Sequence, residues 1–202
     1  MGKVKSIPSQ KVNGAKIDEA MNWANKQESL LEGDYYDGYS ALRNLFGKLD
    51  LKNELNVIGA AYAVYGWMPT ILKKKPEAAE LVKFAKYLKK NTQKKDALSH
   101  LRERPQITRA VNGSTVGTSK FLHFVAPEIF PIWDSNIALV FSITSKIDDP
   151  ATYLDYCDAV HSHLDDTAKP VVWPAKLPEG ISDVRKMEVC LYAYGKNRRS
   201  LT

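Results

Sequence analysis

Apolar residues at helical spacing are the feature that most restricts the fold of this 202-residue chain. Residues 51–65 are apolar on nearly every face, which predicts a buried helix. Between residues 15 and 32, apolar side chains recur at intervals of about three to four, which predicts an amphipathic helix. No stretch alternates polar and apolar residues long enough to form a half-buried strand. We therefore predict an all-α fold, organised as a two-lobed helical domain.

Composition places these helices in one domain, with residues 1–13 as a basic N-terminal tail and residues 14–202 as the domain itself. With 44% hydrophobic residues, a chain of this length buries a core without disulfides or metals, and Cys157 and Cys190 fit buried thiols in a reducing cytosol. The longest apolar run, 57–64, is too short to span a membrane, and no apolar stretch typical of a signal peptide follows the N-terminus. We expect a cytoplasmic monomer without membrane contact, nucleoid-associated if the source is bacterial.

Charge is distributed unevenly along the chain, whose formal net charge is +6. Residues 71–104 hold eleven lysines and arginines against four acids, whereas residues 147–170 hold six aspartates and one lysine. Such asymmetry can orient a protein on a phosphate backbone. A pair of solvated helix faces is the alternative interpretation of the same pattern.

The most informative segment is 105–141, where a helix ends in a glycine-containing turn and a second helix, predicted over 118–125, starts at once. The amides of Val116, Gly117 and Thr118 are expected to be unpaired at that helix N-terminus, where they would hold a phosphate. An apolar and aromatic stretch then leads to Asp134, where Asp134 or the following serine is expected to cap a helix ending near residue 141. A carboxylate in such surroundings is a candidate for a site that excludes water.

These motifs resemble the helix-hairpin-helix DNA glycosylases, which carry Leu-Pro-Gly-Val-Gly in the hairpin and a Val-Asp pair further along the chain. Val116–Gly117 is similar to the end of that hairpin, and residues 132–135 are similar to the aspartate segment. The chain is identified on this basis as a divergent, 8-oxoguanine-glycosylase-like member whose hairpin and catalytic segment span about 96–141. The resemblance implies that Val116, Gly117, Thr118 and Ser119 bind DNA. It also implies that Asp134 assists hydrolysis of the N-glycosidic bond of a damaged or modified base flipped out of duplex DNA.

The lysine of the family is displaced by one residue in this chain. Members that form a covalent intermediate have it two residues after the last hairpin glycine, where this chain has Ser119, and Lys120 follows. One residue along a helix is a rotation of about 100°. We therefore expect a monofunctional enzyme that uses water, with Lys120 as a second catalytic candidate that would form an imine if it reached the pocket.

Aromatic residues that could stack on a flipped base complete the candidate site. We expect no cofactor and no metal, because residues 157–163 do not converge as zinc ligands and two distant cysteines cannot hold an iron–sulfur cluster. Each candidate also has a structural interpretation: a cap for the aspartate, a surface position for the lysine, and the core for the aromatic residues. The base-pocket candidates are Trp67, Trp133 and His123.

Two other classes of function stay open from the sequence. One is a non-catalytic helical DNA-binding protein that uses the same hairpin and basic face. The other is a helical, antitoxin-like protein-interaction protein whose charge serves a protein partner. The sequence also leaves open which base is excised, and whether base excision serves DNA repair or phage defence.

Overall fold

The protein folds into helices throughout the part of the chain that the computed structural model describes, residues 12–30, 33–68 and 70–201. No strand occurs in these ranges, so the all-α prediction is confirmed. The predicted basic tail lies outside the described residues as far as residue 11. The elements are α1 (Gly14–Ala24), α2 (Gly33–Lys48), α3 (Glu54–Trp67), α4 (Ala78–Lys90), α5 (Lys94–Glu103), a 3₁₀ turn (Pro105–Arg109), α6 (Thr115–Val125), α7 (Ser135–Val140), α8 (Pro150–Leu164) and α9 (Asp183–Ser200).

Helix α1 ends at Ala24, well before residue 32, so the predicted length of the first helix is wrong. Past Ala24 the amide of Lys26 bonds to Trp23 O at 3.0 Å, a three-residue spacing that tightens the last turn. The side chain of Gln27 then donates to the same carbonyl at 3.1 Å. The carbonyl oxygen of Trp23 thus accepts from a three-residue backbone bond and from one side chain in place of the backbone amide that a longer helix would supply.

The helices pack in two groups around one buried core. In one group α1 packs with α7, α8 and α9, which joins the start of the chain to its end. In the other, α2, α3, α4 and α6 pack together. Helix α9 approaches α7 closely at Gly195, where an added Cβ would lie 2.0 Å from the carbonyl oxygen of Asn136. The absence of a side chain at Gly195 therefore allows α9 to pack directly against the start of α7.

Part of the charge asymmetry is neutralised inside the fold. Lys94 on α5 bonds to Asp165, at the end of α8, at 2.6 Å, and Arg102 on α5 pairs with Asp158 on α8. Two cations of the basic run are thus paired with two aspartates of the acidic run. None of the helices described here combines the length and the apolar character that a membrane span requires.

Candidate active site

The turn before α6 has two consecutive residues in the left-handed backbone region, Asn112 with φ of 60° and Gly113 with φ of 67°. Ser114 then caps α6, so the helix begins at Thr115, three residues before the predicted start. This difference matters because it moves Val116 and its neighbours from the helix approach into the first helical turn.

The amides expected to hold a phosphate are already hydrogen-bonded, and that expectation is wrong. Val116 N donates to Asp148 Oδ1 at 3.4 Å, and the same oxygen accepts from Thr115 N at 3.1 Å and from Ser114 Oγ at 2.7 Å. The amide of Gly117 donates to Ser114 Oγ at 3.4 Å. A carboxylate of the chain itself therefore occupies the position that the helix N-terminus offers to an anion.

The residues after Val116 face the protein interior, which contradicts the DNA contacts predicted for Gly117, Thr118 and Ser119. An added Cβ on Gly117 would lie 2.1 Å from the hydroxyl oxygen of Tyr65, so this glycine admits a tyrosine from α3. The amide of Thr118 donates to Ser114 O within the helix. The buried hydroxyl oxygen of Thr118 accepts from Val111 N at 2.9 Å. Val116 is partly exposed, and its contact with DNA stays a prediction.

Ser119 links α6 to the aspartate segment, residues 132–135, by hydrogen bonds to the backbone of Trp133. Its hydroxyl oxygen accepts from Trp133 N at 3.0 Å and lies 2.9 Å from Val116 O and 3.2 Å from Trp133 O, either of which can take its proton. Ser119 is fully buried. The same bonds place Asp134, the next residue, beside α6.

Asp134 caps α7, as predicted. Its Oδ1 accepts from the amides of Asn136 and Ile137, both at 2.9 Å. Among the described residues both hydrogen bonds fall on Oδ1, and the side chain is only partly buried. Oδ2 is therefore able to meet a further group while Oδ1 holds the helix. The capping role is confirmed, and the catalytic role stays a prediction.

Lys120 lies within electrostatic reach of Asp134. Burial lowers the pKa of the Lys120 ammonium, and the carboxylates of Asp134 and Glu188 act in the opposite direction. Whether the displaced register turns this side chain away from a base pocket stays a prediction. Ser119 is fully buried, whereas Lys120, one residue later, is only partly buried.

A buried ion pair on α9 completes the group. Arg185 and Glu188 are one helical turn apart and form a salt bridge, with 0% and 2% of their side chains exposed. Burial raises the pKa of Glu188 to about 7; Arg185 lowers it, and Asp134 raises it further. Sequence reasoning missed this pair, although arginine and glutamate at i and i+3 within an otherwise apolar helical face are a detectable signal. We call Lys120, Asp134, Arg185 and Glu188 the charged cluster.

His123 is a core residue, which contradicts its predicted place in a base pocket. It is fully buried, with Nε2 2.9 Å from Tyr39 Oη and Nδ1 2.8 Å from Phe130 O. Because a carbonyl can only accept, Nδ1 carries the proton and Nε2 accepts from Tyr39. Burial, together with the charge of Arg185, holds the pKa of His123 well below its usual range. The guanidinium of Arg185 lies 4.4 Å from the centre of the Tyr39 ring. His123 therefore contacts the charged cluster indirectly, through its hydrogen bond to Tyr39.

Trp133 is also a core residue and not a stacking platform. It has no exposed surface, and its indole Nε1 donates to Ile147 O at 2.8 Å. Its ring centre lies 5.0 Å from that of Tyr156, whose buried hydroxyl has no hydrogen-bond partner among the described residues. Trp67 is partly buried, 5.5 Å from the Phe124 ring, and its base-pocket role stays a prediction.

Two described cavities lie away from the charged cluster. One, of about 660 Å³, lies between α1 and α8 and is lined by aspartates of both helices. The other, of about 410 Å³, is mostly apolar and lies between α2, α4 and α6. Neither includes a residue of the charged cluster among its walls.

No protein-family model, curated protein or solved structure matches this chain. The site combines two chemical groups from separate elements. One is the Lys120 amine of α6, whose pKa is lowered, and the other is the Asp134 carboxylate at the start of α7, whose Oδ2 is available. A second, fully buried carboxylate, that of Glu188, acts electrostatically on that amine and raises its pKa.

Proposed function

We propose that this protein is a DNA N-glycosylase that removes a damaged or modified base flipped out of duplex DNA. The observation that carries the proposal is the electrostatic proximity of the Lys120 amine and the Asp134 carboxylate, in the segment that resembles the catalytic part of such enzymes. A base stacked in a duplex cannot reach either group, so the substrate must be extruded first.

Asp134 has a charge-stabilising role in this proposal. As the bond between the base and C1′ of the sugar breaks, positive charge develops on the sugar. A carboxylate anchored through Oδ1 keeps Oδ2 aimed at that charge without having to reorganise during the reaction. The capping bonds therefore support the chemistry by fixing the orientation of the carboxylate.

In this proposal Lys120 takes the place of water, the nucleophile expected from the sequence, and the support is the lowered pKa of its amine. Burial increases the fraction of its amine that is neutral and carries a free electron pair. The amine nitrogen forms a bond to C1′ while the base leaves with the electrons of its own bond and takes up a proton. Opening of the sugar ring and loss of the amine protons then give an imine between Lys120 and the sugar.

Asp134→Asn tests the role of the carboxylate. Asparagine caps helices as well as aspartate, so the variant should fold and bind DNA normally while losing the charge. We expect base release from a panel of modified duplexes, scored as abasic sites, to slow by roughly 100-fold or more. Asp149→Asn is the matched control, since Asp149 is also a helix N-cap, at the start of α8, and its substitution should leave the rate unchanged. Full activity of Asp134→Asn on a proven substrate would refute the role.

Borohydride trapping tests Lys120, because borohydride reduces an imine to a stable amine. We expect a covalent protein–DNA product from the wild-type protein and none from Lys120→Met. Base release without any trapped product would return the proposal to water as the nucleophile. Absence of abasic sites across both repair lesions and hypermodified bases would leave a non-catalytic DNA-binding protein as the better interpretation.

A further inference from the structure

Two basic segments far apart in the sequence meet at the turn before α6. Asn112 Oδ1 accepts from the backbone amides of Lys73 and Lys74, both at 2.9 Å. A third bond, from Glu77 N to Ala110 O at 2.8 Å, fixes the other end of the same contact. The lysine-rich loop 73–75 is thus held against the turn by the backbone and by one amide side chain, and does not depend on its own charges.

One cation from each of these two segments lies at Gly113. Arg109 Nε donates to Gly113 O at 3.1 Å, which holds its guanidinium beside the turn. A Cβ added to Gly113 would lie 3.5 Å from both Cδ and Nζ of Lys74, so the ammonium of Lys74 lies beside Gly113 as well. The side chains of Lys73, Lys75 and Arg109 are exposed. Several positive charges are therefore held at one solvent-facing turn.

These charges are not neutralised within the ranges that the structure describes. Among the described residues no ion pair involves Lys73, Lys74, Lys75 or Arg109, whereas Lys94 and Arg102 of the same basic run are paired with α8. The nearby carboxylate of Asp148 is bonded to the start of α6. Like charges held close together repel one another, and an anion that lies between them removes that repulsion.

We propose that loop 73–75 and Arg109 form a surface that binds the phosphate backbone of duplex DNA beside the Asn112–Gly113 turn. A duplex carries phosphates at short, regular spacing, which suits four cations grouped on one face. The surface takes its partner from the proposed function, but it does not require base release. It also replaces the amides of α6, which Asp148 and Ser114 occupy, as the anchor for the strand.

The test is the salt dependence of binding to an unmodified, fluorescein-labelled duplex of about 20 base pairs, followed by anisotropy between about 50 and 300 mM KCl. Changing Lys73, Lys74 and Lys75 together to glutamine should reduce the magnitude of the slope of log K against log salt by roughly 2 to 3. Affinity at low salt should fall roughly tenfold or more. The matched control changes three exposed lysines of α4, Lys86, Lys89 and Lys90, to glutamine.

Asn112→Gly tests whether the position of loop 73–75 matters for binding when its charge is unchanged. Glycine adopts a φ of 60° without strain and removes the bonds to the loop amides, while the net charge stays the same. We expect this variant to bind DNA several-fold more weakly, with a cooperative unfolding transition still present. Equal losses from both lysine triples, or an unchanged slope for the 73–75 triple, would overturn the proposal.

Two further outcomes decide between partners and between proposals. Binding to vesicles rich in phosphatidylserine without binding to duplex DNA would also overturn the proposal. Because the duplex is unmodified, absence of base release has no bearing on this test. If the separate panel of modified duplexes yields no abasic sites but the 73–75 triple loses salt-dependent binding to the unmodified duplex, the surface stands and the enzymatic proposal fails.

Discussion

The buried Glu188 predicts an unusual dependence of stability on pH. Its pKa is raised from 4.5 to about 7 by burial, so the protonated carboxyl favours the folded protein. This contribution is complete below pH 4.5, where the carboxyl of the unfolded chain is protonated too. It is lost as pH rises, because the unfolded chain releases its proton first, and it is gone above pH 7. The shift corresponds to about 3 kcal/mol of unfolding free energy across that range.

Urea unfolding of the wild type and of Glu188→Gln, at intervals from pH 4.5 to pH 8, measures this contribution. Glutamine cannot titrate, so the stability of the wild type relative to the variant should fall by about 3 kcal/mol as pH rises to 7. Leaving Arg185 without its carboxylate shifts the whole curve of the variant but not its slope, since arginine does not titrate. Buried histidines such as His123 act equally on both proteins. Parallel curves for the two proteins would refute the reasoning.

Two further changes test the packing that positions the charged cluster. Ser119→Ala leaves the buried amide of Trp133 without its acceptor and should cost about 1–3 kcal/mol of unfolding free energy, measured in urea. A loss below about 0.5 kcal/mol would mean that this bond does not hold the aspartate segment in place. Gly117→Ala sets a methyl group against the Tyr65 hydroxyl and should cost about 1–3 kcal/mol. Tyr65→Phe in the same chain should recover part of that loss, whereas strictly additive effects would show that the two residues do not touch.

The capping of α7 by Asp134 could be predicted from the sequence because it is a local interaction. The carboxylate and the amides that it accepts from are two and three residues apart. The same local reasoning predicts free amides at the start of α6 for a phosphate, and that prediction is wrong, since Asp148 binds there from 33 residues along the chain. A carboxylate that distant leaves no signal in the helix it caps.

Helical periodicity and capping residues therefore determine by themselves that this chain forms an all-α fold and where α7 begins, because both depend on hydrogen bonds between near neighbours. Tertiary structure alone decides which charges meet. Lys120 on α6 and Glu188 on α9 interact only because α9 packs against α7 and is buried there, with Gly195 admitting the close approach. Burial depends on the packing of every helix at once, and it is burial that changes the pKa values of Lys120 and Glu188.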